Sequence, residues 1–206
     1  MQVKGISTIC ENGLNQNILK AMHLQCLCPM NPGDVAEGFE LKNANESIGG
    51  KMVTLDSVLT KSGAVVLFEC NHCPYVVASV DRINRAAEKA NQLGMGFVSI
   101  NSNDPEKYKD DDFSNMKKRA EKGMPYAYLH DDTQEIAHKW GAERTPEFYL
   151  LDGQGKVVYR GRLDNSPRDP TMATTSELVD AMDSLSMGED PVVTRTQSIG
   201  CSIKWK

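Results

Sequence analysis

The stretch Ala64-Val65-Val66-Leu67-Phe68-Glu69-Cys70-Asn71-His72-Cys73-Pro74-Tyr75 constrains the chain more than any other. Val65 to Phe68 is a β-branched and aromatic run without period-2 alternation, the pattern of a strand covered on both faces. After it, Val76, Val80, Ile83, Ala87 and Ala90 recur at helical spacing, which predicts a helix ending near Gly94. Cys70 and Cys73 therefore lie where a buried strand gives way to a helix. The reactive form of cysteine is the thiolate, and a helix N-terminus offers it both a favourable dipole and unpaired N–H groups.

At 206 residues the chain has room for one α/β domain with terminal extensions. Its net charge is −5, with acids and bases interspersed, so it has no basic stripe suited to nucleic acid. No window approaches a membrane span and the N-terminus has no secretory pattern, so a cytoplasmic protein without a membrane partner is expected. In a reducing compartment a close cysteine pair points to catalysis or metal binding rather than to a permanent staple. The six cysteines, 10, 26, 28, 70, 73 and 201, are too few for a disulfide scaffold. Cys26 and Cys28 are spaced one residue short of a zinc knuckle and have no partner nearby.

Residues 1–30 show only a faint helical pattern at Leu14, Ile18 and Met22 and are read as an extension, with domain-like patterning beginning at Met30. Phe39 to Lys42 and Met52 to Leu55 form an expected β-hairpin around Gly49-Gly50. Gly96 to Ile100 is a second core strand, which makes strand, helix and strand a right-handed parallel unit. Asp110-Asp111-Asp112 reads as a solvated loop capping a helix at Phe113, Met116 and Ala120. Tyr126 to Leu129 is a strand, and Asp132 with Glu135 suggests a capping box for a helix from Thr133 to Trp140. Arg144-Thr145-Pro146 leads into a strand, Glu147 to Leu151, and a hairpin loop at 152–155 returns through Lys156 to Arg160. Thr174 and Glu177 suggest a capping box for a last helix that Gly188 stops. His23, His130 and His138 show no partner pattern and are read as surface or satisfied residues.

These elements, with Cys-x-x-Cys at a helix head and Thr145-Pro146 opening a later strand, resemble the thioredoxin fold, a central mixed β-sheet flanked by helices. Four segments narrow the resemblance: Phe68 to Tyr75, Asn103 to Glu106, Asp152 to Arg162, and the tail Ser198 to Lys206. They are similar to the redoxin, peroxiredoxin-like subgroup carrying a Cys-x-x-Cys motif. The similarity covers residues 31–206, divided into a domain at 31–188 and a tail at 189–206. It implies a cis Thr145–Pro146 bond lying against the dithiol, with Thr145 and Pro146 as site residues. Two departures stand out. If Cys73 takes the peroxidatic position, Cys70 and Val66 stand where the activating threonine and proline belong, and Arg144 is offset from the family arginine. Ala64 stands where thioredoxins carry a buried aspartate, so a proton leaving the second thiol must go elsewhere.

Within Cys70 to Pro74, the proline must occupy the first helical turn. Asn71 as N-cap would put Cys73 at the second helical position and leave Cys70 just outside, the more exposed thiol. Cys70 is then expected to attack and Cys73 to resolve, with His72 favouring the thiolate. Stabilising the reduced form predicts a couple more oxidising than thioredoxin's. The expected activity is thiol-disulfide exchange with protein or small-molecule disulfides, recycled by a thioredoxin-type reductant and needing neither cofactor nor metal. Peroxide turnover is the first alternative, and a non-enzymatic redox-sensing or metal-handling protein the second. Cys201 is read as a packing residue beside Ile199, Ile203 and Trp205 rather than a third redox thiol.

Overall fold

The computed structural model describes residues 29–206. The expectations for Cys10, Cys26, Cys28, His23 and the helical pattern at Leu14 fall outside them. Strand β1 (Glu40–Asn43) pairs antiparallel with β2 (Met52–Thr54), β3 (Ala64–Phe68) runs parallel to β4 (Gly96–Asn101), and β4 runs parallel to β5 (Ala127–His130). Beyond the two-residue β6 (Arg144–Thr145), β7 (Glu147–Leu151) and β8 (Val157–Gly161) complete the mixed seven-stranded sheet, in the order β2-β1-β5-β4-β3-β7-β8. The N-terminal hairpin is part of this sheet, because β1 pairs with β5.

All five residues of β3 have no exposed surface. Their side chains divide with period 2 between two cores. Val65 and Leu67 pack with Ile83, Ala87 and Met182, whereas Val66 and Phe68 pack with Trp140, Tyr149 and Leu151. A strand that fills both cores fixes its register, since a slip of one residue would exchange every contact.

The helices depart from expectation at their starts. Thr54 and Ser57 form a capping box that turns the chain into α1 (Leu55–Val58), where the sequence suggested continued strand. The helix expected after Cys73 is broken into α2 (Pro74–Val77) and α3 (Val80–Gln92). Between them Ser79 is buried and donates to the Pro167 carbonyl at 2.7 Å, while Arg82 donates to the same carbonyl at 2.8 Å. The break thus ties the site-bearing turn to the loop after β8. Asp112 caps α4 (Phe113–Ala120) as expected.

The two remaining capping boxes are corrected. For α5 (Glu135–Trp140), the N-cap is Gln134 in a left-handed conformation with φ of 64°, and Asp132 takes no part. The buried Asp131 accepts from the N–H groups of Ile136 and Ala137 at 3.3 and 3.0 Å and from Ser102 Oγ at 2.8 Å. For α6 (Glu177–Ser186), Ser176 is the N-cap without a side-chain bond, and Glu177 instead pairs with Arg162. Met30 is buried, donates to the Trp140 carbonyl at 3.1 Å and accepts from Arg160 at 2.9 Å, so it packs with the domain.

Replacing Asp131 by Ala strands two helix N–H groups and a buried hydroxyl. The expected loss is about 1–3 kcal/mol of stability, read from the urea midpoint. An unchanged midpoint would show that water satisfies those groups equally well.

Candidate active site

The chain leaves β3 through Glu69, whose N–H donates to the Ile100 carbonyl at 3.0 Å, and enters the Cys70-to-Cys73 turn. Cys73 is the N-cap of α2 and Pro74 the first helical residue, a position where a missing N–H costs nothing. This corrects the expectation that Asn71 caps the helix. Asn71 is used elsewhere: its Nδ2 donates to the Asp110 carbonyl at 2.6 Å and its Oδ1 accepts from Tyr128 at 2.9 Å. The expected exposure of Cys70 is also corrected, because Cys70 and Cys73 are both without exposed surface. They are free thiols.

The two sulfurs meet different surroundings. Cys73 is held well below the usual thiol range, first by the Cys70 thiol donating to it, and further by the Val76 N–H and by the N–H and thiol of Cys201, against the opposing effect of burial. Its Sγ also lies 3.0 Å from the Thr145 carbonyl, which accepts from the thiol and opposes the thiolate. That contact and burial work against the anion, and the donors work for it. Cys70 is pushed up, first by that same sharing with Cys73, then by burial and by the negative charge of Asp111. The Thr145 hydroxyl, 3.5 Å from Cys70 Sγ, works in the opposite direction.

Asp111 was expected in a solvated loop and is instead completely buried. Its carboxylate accepts from the Asn71 N–H at 2.6 Å, Asn101 Nδ2 at 3.2 Å and Asn103 Nδ2 at 2.8 Å, and pairs with His72 Nδ1 at 2.5 Å. The His72 ring stacks on Tyr108, with centroids 5.4 Å apart and planes 6° from parallel. His72 is therefore a positioned residue of the turn. A second buried acid, Glu69, pairs with Arg119 at 2.5 Å and accepts from Tyr126 at 3.0 Å. Arg119 donates onward to the Cys70 carbonyl at 2.9 Å. The His72–Asp111 bond and the Glu69–Arg119 ion pair thus hold the turn, one through each of its flanks.

Thr145 and Pro146 lie where the resemblance implied. Their bond is cis, and Thr145 touches both thiols through its hydroxyl and carbonyl. Arg144 points elsewhere and donates to the Gly200 carbonyl at 3.1 Å. His138 stacks on Trp205 at 4.2 Å, whereas His130 corrects expectation: its buried Nε2 has no hydrogen-bond partner among the described residues, and burial lowers its pKa. Sequence reasoning passed over Glu69, Arg119 and Tyr128, and took Asp111 for a solvated loop residue. The one local signal was a lone glutamate closing a wholly apolar strand.

The ligand atoms of Cys70, His72 and Asp111 lie within 4.8 Å of one another, so a metal ion could be gathered there. It would have to displace the His72–Asp111 bond and compete with the Asn71, Asn101 and Asn103 donors. An open groove of about 300 Å³ beside His72, lined by Asn115, Lys118 and Lys122, reaches the turn from solvent. Among the described residues no helix is long and apolar enough to cross a membrane.

A mixed sheet that delivers a buried dithiol to the head of a helix, against a cis-proline, defines a thioredoxin-like protein. The Redoxin family model matches residues 33–178, and the chain belongs to that family. A crystal structure of an uncharacterised conserved protein from Geobacillus kaustophilus is 42% identical, with 85% of this chain and 92% of that one covered and a TM-score of 0.79. A hypothetical protein from Sinorhizobium meliloti 1021 is 31% identical over 87% and 97%, also with a TM-score of 0.79. Peroxidoxin BcpB from Mycobacterium tuberculosis, 19% identical over 77% and 95% with a TM-score of 0.53, shares the fold. No curated protein matches. Family and site together make thiol redox chemistry the class of function.

Absorbance of the reduced protein at 240 nm is expected to report a thiolate already present below pH 7. Cys73→Ser should abolish that low-pH step, and Cys70→Ala should move it upward by removing the largest donor to the anion. A step that survives Cys73→Ser would assign the thiolate to another cysteine.

Proposed function

We propose that the protein is a thiol-disulfide oxidoreductase in which Cys73, rather than Cys70 as the sequence suggested, carries the attacking thiolate. The observation that carries this reading is the sorting of the two sulfurs: Cys73 caps a helix and faces donors, while Cys70 faces the Asp111 carboxylate. Attack by the Cys73 thiolate on a substrate disulfide forms a mixed disulfide and expels one substrate thiolate, which takes a proton from solvent. A second protein thiol then attacks the Cys73 sulfur, expels the other half of the substrate and closes an internal disulfide. For Cys70 in that role, Asp111 is a base within 4.8 Å and His72, with a side chain 24% exposed, links it to solvent. This pair does the work of the acid missing at Ala64. Electrons return from a thioredoxin-type reductant, and a reducing cytoplasmic setting suits the dithiol resting state.

Peroxide turnover is less well supported. The peroxide-activating threonine and proline are replaced by Cys70 and Val66, and the Arg119 guanidinium is committed to Glu69 and the Cys70 carbonyl. Stopped-flow mixing with oxidised glutathione and with hydrogen peroxide, followed by peptide mapping, tests the choice. Glutathionylation of Cys73 outpacing its sulfenylation is expected. The reverse order would make the protein a peroxidase.

Because the thiolate is stabilised, the reduced form is stabilised with it, and the couple should lie above thioredoxin's value of about −270 mV. Equilibration with glutathione redox buffers measures it. A potential at or below that value would contradict the assigned electrostatics.

A further inference from the structure

The C-terminal strand β9 (Cys201–Ser202) pairs antiparallel with β6, setting Cys201 opposite Thr145, the residue whose carbonyl lies 3.0 Å from Cys73 Sγ. Cys201 packs against the cluster containing Cys70 and Cys73, and it is among the groups that favour the Cys73 anion. The sequence suggested a packing role on a tail. Cys201 does pack, and the cluster it packs against also holds Cys70 and Cys73. Cys201 is only partly buried, the most exposed residue of the three.

Nothing about this placement is loose. A Cβ on Gly200 would sit 2.1 Å from the Thr145 carbonyl oxygen, so the backbone there lies flush against β6. On the other side of Cys201, Ile203 is buried and donates to the Glu143 carbonyl at 2.9 Å, and Lys204 donates to Asn103 Oδ1 at 2.8 Å. The Lys204 carbonyl accepts from the Asp104 N–H at 2.7 Å and from Gln134 Nε2 at 2.9 Å. A thiol anchored on both sides and packed against the cluster that holds a second sulfur reacts with it at high effective concentration.

We infer that Cys201 is a third redox thiol, and that the disulfide through which the oxidised protein meets its reductant is Cys73–Cys201. The inference rests on the proposed attack by Cys73. In the step it adds, the Cys201 thiol loses its proton to solvent and attacks the Cys73 sulfur of the mixed disulfide. The Cys73–Cys201 bond forms, the Cys73–substrate bond breaks, and the departing substrate thiolate is protonated. Two protein thiols are oxidised and one substrate disulfide is reduced to two thiols.

Reduction reverses the polarity. A reductant thiolate attacks the sulfur of the more exposed Cys201 and expels Cys73 as a thiolate that the helix end and its donors already stabilise, and a leaving thiol of low pKa leaves faster. A Cys70–Cys73 disulfide offers a less accessible entry, because both residues are buried whereas Cys201 is only partly so.

The test is oxidation of the full chain with oxidised glutathione, non-reducing peptide mapping over time, and the rate of re-reduction by a thioredoxin-type dithiol. A Cys73–Cys201 peptide is expected in the wild type. Cys201→Ser should form Cys70–Cys73 in its place and be re-reduced about tenfold more slowly or worse. Gly200→Ala keeps every thiol but lifts the strap, and should deplete the Cys73–Cys201 peptide. Wild-type protein that is glutathionylated at Cys73 yet yields only Cys70–Cys73, with Cys201→Ser re-reduced at the wild-type rate, overturns this inference alone. Failure of wild-type Cys73 to react with oxidised glutathione overturns the proposed function and this inference with it.

Discussion

A carboxylate with no access to water has to be paid for in hydrogen bonds, and Asp111 receives them from four groups on three segments. Asn71 and His72 belong to the dithiol turn, and Asn101 and Asn103 to the end of β4 and the loop after it. The bonds therefore stitch the turn to the C-terminal edge of the parallel strands, and the same Asn103 reaches the tail through Lys204. Charge-assisted bonds of this sort are the stronger class, and removing any one donor leaves an anion under-satisfied. The position of Cys70, the orientation of His72 and the seating of the tail all depend on this one acid.

The same charge sorts the chemistry. Two thiols three residues apart would share a proton nearly evenly in a uniform medium. Here Asp111 stands on the Cys70 side and the first helical turn on the Cys73 side, and both favour moving the proton from Cys73 to Cys70. Pro74 at the first helical position is what puts Cys73, and not Asn71, at the cap. The Glu69–Arg119 pair holds the other flank of the turn, and its arginine anchors the Cys70 carbonyl rather than a substrate.

Much of this was legible in the chain. The unbroken apolar run at 64–68 identified a doubly covered strand, and Gly49-Gly50 and residues 152–155 marked their hairpins, because these signals are local. The Thr145–Pro146 site could be placed only through resemblance. Where sequence reasoning failed, tertiary partners had overruled local preference. Asn71 is a good cap that finds better use in Tyr128 and Asp110. Asp132 has the right spacing for a box, but the buried Asp131 reaches the helix first. Asp111 sits in an acidic triplet that looks solvated, and only the fold reveals its four donors. Cys201 is 128 residues from Cys73 by number, a separation across which no periodicity carries information.

The central claim is that this environment places the thiolate on Cys73. The most direct measurement is a pH titration of the reduced protein carrying 13Cβ-labelled cysteine, followed residue by residue by NMR, since it needs no access to the buried sulfurs. The Cys73 resonance is predicted to titrate well below the ordinary thiol value of about 8.5, with Cys70 titrating far above it. A Cys70 resonance that titrates first would contradict the account.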